Sequence, residues 1–165
     1  MSSQEIFDLH QKIGTTPEGA LKCWFDACFL YIDQKTRDEG RKALENLTLP
    51  FKGDSTWDKK HSSGTFVSVL KGTNAYIINS YAKGTSPENQ YSIDTSNYEL
   101  NIEKSHEDVH GKRGWAVFLR SSGADNSRPV YLKKSTKTGL YYPNTIANVY
   151  LGIRKPIDPD VETFV

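Results

Sequence analysis

Two cysteines are all that this 165-residue chain carries, a scarcity that sets aside a disulfide-stapled scaffold. Cys23 and Cys28 stand five apart in an expected helix and point in different directions, so they read as reduced core thiols, and C-x-x-C redox spacing is missing. No run approaches the ~20 apolar residues of a membrane helix. The N-terminal MSSQEIFDLHQ lacks the charged and apolar regions of a signal peptide, so residence in the cytoplasm without a membrane partner is expected. Repeats, low-complexity tracts and linkers are missing, which points to one domain over residues 1–165. Its helical part is expected at about 1–48 and its sheet part at about 65–155. A Gly-rich phosphate loop and a nucleophile elbow are missing too. Spacing ties none of His10, His61, His106 and His110 to a serine or cysteine nucleophile.

What the chain does have is alternation. NYELNIEKS, GWAVFLRSS, RPVYLKKST and NVYLGIRKP place apolar residues at every second position between Tyr98 and Lys155. Tyr98, Leu100 and Ile102, then Trp115, Val117 and Leu119, then Val130 and Leu132, then Val149, Leu151 and Ile153 fall on the expected core side. Connections this short favour antiparallel pairing. Leu140 to Tyr142 is a further candidate strand, ended by Pro143.

Ahead of the sheet the rhythm is helical. Ile6, Leu9 and Ile13 suggest a short helix ended by Gly14. Thr16 and Pro17 then form a cap and first-turn pair ahead of Leu21, Trp24, Phe25, Cys28, Phe29 and Ile32. Trp24, Phe25 and Phe29 are expected to anchor the core against Val117, Leu119 and Leu132. Lys35 to Leu47 reads as another helix with Ala43, Leu44 and Leu47 inward, stopping before Pro50. Phe51 to Gly64 is expected as a loop with Trp57 tucked beneath it. Thr65 to Leu70 and Ala75 to Tyr81 read as strands, the first also as a helical turn, and Gly84 to Asn97 as a polar connection. The fold class is α+β, with N-terminal helices packed on one face of a mainly antiparallel sheet.

His106-Glu107-Asp108-Val109-His110 matches H-E-x-x-H, in which two histidines one helical turn apart hold zinc and the glutamate serves as base. That chemistry needs a helix, whereas these residues fall in a polar gap between two strand patterns, so no metal site and no cofactor is expected. Asp26, Asp33, Asp38 and Glu39 sit on or beside helices and read as solvated surface.

The charge is unevenly divided. Gly111 to Lys155 holds nine cations against Asp125 and is +8, while residues 1–110 are −4 and residues 156–165 are −3, giving the net +1. Arg120, Lys133 and Arg154, with outward Tyr131 and Tyr150, are candidates for a basic sheet face that meets an acidic protein, an anionic small ligand or, more weakly, nucleic acid. The competing reading, and the weightier one, is a solvated strand face whose lysines discourage edge-to-edge aggregation. A second candidate is the loop from Ser121 to Pro129. There Ser122 and Gly123 offer backbone N–H groups and Arg128 a charge that could cradle an anion, while Asp125 and Arg128 could equally close the turn structurally.

SSGADNSRPVYLKK, together with TPEGALKCWFDACFLY and VYLGIRKP, resembles an uncharacterised bacterial domain-of-unknown-function family. Its members carry Ser-Gly-Ala-Asp, two residues, Arg-Pro-Val and a Thr-Pro-Glu-Gly-Ala helix start. The resemblance runs from about Thr16 to Pro156; such families carry no established activity, so it implies a bacterial or phage source and nothing about catalysis. A helix followed by an antiparallel meander also resembles the cystatin or nuclear-transport-factor type of roll, at the level of fold only. Two function classes follow. One is a non-catalytic binding domain that uses the basic face or the 121–129 loop; the other is a small enzyme with a pocket between helix and sheet.

Overall fold

Ser2 and Thr16 each accept a hydrogen bond from the amide three residues on, Glu5 N–H at 3.2 Å and Gly19 N–H at 3.1 Å, and so start the first two helices. The computed structural model describes residues 1–48, 64–109 and 113–161. Helices α1 (Ser3–Ile13), α2 (Pro17–Ile32) and α3 (Arg37–Thr48) come first. The Arg37 guanidinium donates to the carbonyls of Tyr31 and Ile32 at 2.9 and 3.2 Å, satisfying α2's open C-terminal end and fixing the turn into α3. Trp24, Phe25 and Phe29 lie buried in one cluster with Val117, Leu119 and Leu132, as the apolar stripe requires. Ala43, Leu44 and Leu47 bury the inner side of α3.

Two short helices follow, α4 (Gly64–Lys71), in line with the helical alternative for Thr65 to Leu70, and α5 (Tyr76–Asn79), where a strand was expected. Spacing explains the difference: Ile77, Ile78 and Tyr81 are all buried, a three-to-four repeat rather than a twofold one. Trp57, His61 and His110 lie outside the described residues.

The sheet is an antiparallel meander in the order β1 (Ile102–Asp108), β2 (Gly114–Leu119), β3 (Arg128–Lys134), β4 (Tyr141–Thr145). The fourth strand is therefore not NVYLGIRKP. Ala147–Tyr150 forms a 3-10 helix, and the segment after it pairs with no strand. Val149 and Ile153 are buried while Leu151 is 54% exposed, in a segment where the 3-10 helix before Leu151 and Gly152 at φ +66° after it interrupt extended backbone. Pro143, expected to end a strand, sits inside β4 opposite Leu132. β4 is an edge strand, where a missing N–H costs no second ladder bond. The first strand starts later and runs further than its alternation suggests. Tyr98 leaves the sheet to donate its hydroxyl to Asp26 at 2.6 Å, and the strand continues through His106 to Asp108. Helices α1, α2 and α3 pack together, with α2 against β2 and β4 and α3 against β4, so α+β with N-terminal helices on a mainly antiparallel sheet is the architecture.

A basic sheet face and the seam beside it

Directly opposed residues of an antiparallel pair share a face. The register sets Lys104 opposite Phe118, His106 opposite Ala116, and Ala116 opposite Tyr131. Lys104, His106, Phe118 and Tyr131 therefore share the face opposite to buried Val117, Val130 and Leu132, and Lys133, two residues past Tyr131, joins them. Each aromatic ring here is already covered. The Lys104 ammonium stands 4.5 Å from the Phe118 centroid, and His106 stacks on the same ring at 5.6 Å. The Arg113 guanidinium lies 4.0 Å from the Tyr131 centroid while pairing with Asp108 at 2.9 Å. That cover is why Tyr131, on the outer face, is only 6% exposed. Lys104, His106 and Lys133 remain exposed. The sequence pattern places Phe118 on this face beside Arg120 and leaves Lys104 and Arg113 off it: plain alternation from Ile102 would send Lys104 to the core side, and the register shift between Ile102 and Lys104 carries it and His106 to the outer face.

The three cations expected to share this face are dispersed. Lys133 is level with Gly114, whereas Arg120 follows β2's far end, six residues or about 20 Å along the strand. There its guanidinium stands 3.7 Å from the Glu103 carboxylate. Arg154 lies outside the sheet and pairs with Asp125 at 3.1 Å.

The 121–129 loop gathers Ser122, Gly123, Asp125, Arg128 and Arg154 into a seam. Ser121 Oγ donates to Ser80 Oγ at 2.7 Å and accepts the Gly123 N–H at 3.1 Å. The Ser122 N–H donates to the Ser80 carbonyl at 2.9 Å, and its hydroxyl meets Thr85 Oγ1 at 2.8 Å. The amides that would cradle an anion are thus engaged within the chain. Gly123 is required by close approach, since a Cβ there would fall 2.3 Å from Tyr91 Oη and 2.8 Å from Ile153 Cγ2. Its carbonyl accepts the Arg154 N–H at 2.9 Å, and the Tyr91 hydroxyl donates to the Arg154 carbonyl at 2.6 Å. Beside the seam lies an open depression of about 320 Å³, lined by Arg128, Pro129, Asn148, Leu151 and Gly152. Arg128 is the one ionisable side chain in that lining.

Asp26, Tyr98, Cys23 and Cys28 are tied into the core. The Asp26 carboxylate, 5% exposed, accepts both Lys22 Nζ at 2.8 Å and the Tyr98 hydroxyl at 2.6 Å. Burial first, and then the Asp26 charge, hold the Tyr98 hydroxyl far above the ordinary tyrosine range. Burial likewise pushes the Cys23 thiol up to about 12 and Cys28 well above its usual value, so neither supplies a thiolate nucleophile. His106 and Glu107 of the H-E-x-x-H match are consecutive strand residues and point to opposite faces. No group of three or more His, Cys, Asp or Glu side chains that could hold a metal occurs among the described residues.

A family model matches residues 1–157, and its description is "Domain of unknown function (DUF6935)". A search of curated proteins found no match. A search of solved structures found none either.

Proposed function

The chain belongs to this family of unknown function, and from that premise we propose that it is a non-catalytic binding domain that holds an acidic segment of a protein partner on the outer face of its sheet. The observation that carries the reading is the row of Lys104, His106 and Lys133, exposed on one face with Arg113 over Tyr131 beside them. Charge complementarity selects acidic side chains. The covered rings favour a protein over single-stranded nucleic acid, because base stacking needs open ring faces and here Lys104, His106 and Arg113 lie over them. The reading includes a cytoplasmic location and a bacterial or phage source, the latter carried by the motif resemblance. No helix among the described residues is long and apolar enough to cross a membrane.

The test is a titration with a short glutamate-rich peptide at low and physiological salt. Binding should weaken as salt rises, since exposed charges are screened beyond ~8 Å at physiological ionic strength. Lys104→Glu with Lys133→Glu should weaken it further, while Lys35→Glu with Lys42→Glu, exposed on the helical side, should not. Equal binding by both double variants would overturn the reading, as would tighter binding of a single-stranded DNA oligomer than of the peptide.

A further inference from the structure

Arg128 is a fixed cation that pairs with no acid among the described residues. Its Nε and Nη2 donate to the Leu151 carbonyl at 3.2 and 3.0 Å, and its Nη1 donates to the Asn126 carbonyl at 2.7 Å. A guanidinium has five N–H donors, so these bonds leave one on each terminal nitrogen. Among the described residues no carboxylate pairs with it; Asp125, three positions back, is held by Arg154 at 3.1 Å. Two donors on neighbouring nitrogens match the spacing of a carboxylate's two oxygens. These three bonds to two backbone carbonyls already hold the side chain in place, so little rotamer freedom remains to be lost on binding.

The surroundings are apolar and roomy on one side. Pro129 and Leu151 form walls, and Leu151 keeps 54% of its surface exposed beside the cation. Gly152 at φ +66° leaves the space next to Arg128 Nη2 free of a side chain, where a Cβ would lie 3.4 Å away. The Asn148 carboxamide N–H is committed to the Pro129 carbonyl at 3.3 Å. At about 320 Å³ the depression is at the small end of ligand sites, which run from roughly 300 to 1,000 Å³.

We infer that this depression binds a small organic carboxylate with an apolar body, its carboxylate on the Arg128 guanidinium and its body against Pro129 and Leu151. The site is separate from the basic sheet face and stands or falls independently of it. Inorganic phosphate and acetate share the charge and lack the body, so both bind more weakly.

The experiment is a titration followed by 15N–1H correlation spectra, using benzoate, benzamide, acetate and inorganic phosphate as probes. Benzoate should shift the Leu151 and Gly152 amide signals saturably. Benzamide, which has the ring without the charge, should leave them in place, and acetate and phosphate should need about tenfold higher concentration, the equivalent of modest apolar burial. Leu151→Glu changes an exposed side chain and supplies a carboxylate within the chain, so it should abolish the benzoate shifts while the rest of the spectrum is kept. Arg128→Gln should do the same, and if that variant fails to fold, the Leu151→Glu result decides. Absence of saturable benzoate shifts overturns the inference. So do benzamide, acetate or phosphate acting as strongly as benzoate, or Leu151→Glu binding benzoate unchanged.

Discussion

His10 Nε2 donates to the carbonyl oxygen of Tyr141 at 2.8 Å, joining the first helix to the edge strand of the sheet. The Tyr141 N–H in turn donates to the Gly14 carbonyl at 2.8 Å, so both backbone groups of this edge residue are satisfied by the end of α1. Covering an edge in this way protects it from strand addition by another chain.

This contact makes stability depend on pH. Burial lowers the His10 pKa, and the backbone bond to Tyr141 offsets that only in part. In the unfolded chain the imidazole returns to an ordinary value near 6.5. Below that pH the unfolded chain takes up a proton that the native state resists, so stability is fully present above about 6.5 and is lost as pH falls toward the lowered native value. His10→Gln should flatten the dependence of the urea midpoint between about pH 7 and pH 5. A variant with the wild-type slope would show that His10 does not set it.

Phe25 is fully buried and meets Trp24, Phe29 and Tyr81 edge-on or tilted, with centroids 5.2 to 6.3 Å away. Phe25→Ala should cost about 3–5 kcal/mol, the range for removing a buried phenylalanine. An unchanged denaturant midpoint would place the aromatic cluster elsewhere.

The parts of the fold that were legible in the sequence are those whose local signals agree with their packing. Thr16 and Pro17 mark a helix start, and the stripe from Leu21 to Ile32 is one that only a helix buries. β2 and β3 have clean alternation and the predicted core side. What misled were alternations created by other means. Val149, Leu151 and Ile153 alternate in sequence, yet Val149 lies in a 3-10 helix and Gly152 at φ +66° interrupts the run after Leu151, and β4 contains the proline that argued against it. The candidate site was legible by residue type more than by position. Lys133 and Tyr131 stand on the outer face, but Arg113 and Lys104 reached it through register and hairpin geometry that no spacing rule announces. Arg128 and Gly123 belong to a seam whose partners, Leu151 and Tyr91, are more than twenty residues away in the chain.

Gly123 offers a direct test of that seam. A methyl group there would meet Tyr91 Oη and Ile153 Cγ2 at distances real Cβ atoms do not adopt, 2.3 and 2.8 Å. Gly123→Ala should therefore destabilise by about 1–3 kcal/mol, the usual cost of overpacking. Tyr91→Phe in the same background removes the nearer atom and should recover part of the loss. Thermal unfolding measures both, and an alanine variant as stable as wild type would show that the loop and the Tyr91 ring do not pack as described.

Asp26 and Tyr98 tie the segment ahead of β1 to α2, and their coupling should be measurable by a double-mutant cycle. Tyr98→Phe removes one of the carboxylate's partners and should cost about 1–2 kcal/mol, because the Lys22 ammonium at 2.8 Å still satisfies the charge. Asp26→Asn removes the charge from a site only 5% exposed, but Lys22 is 35% exposed and turns to water, so the loss should stay near 1–3 kcal/mol and short of the cost of a stranded buried ion. With the tyrosine hydroxyl and the carboxylate in direct contact, the double variant should be less destabilised than the sum of the singles, with a coupling of about 0.5–3 kcal/mol. Strict additivity in urea unfolding would mean that the hydroxyl finds an equally good partner in water, and that Tyr98 is held in place by its edge contact with Phe29 at 5.0 Å instead.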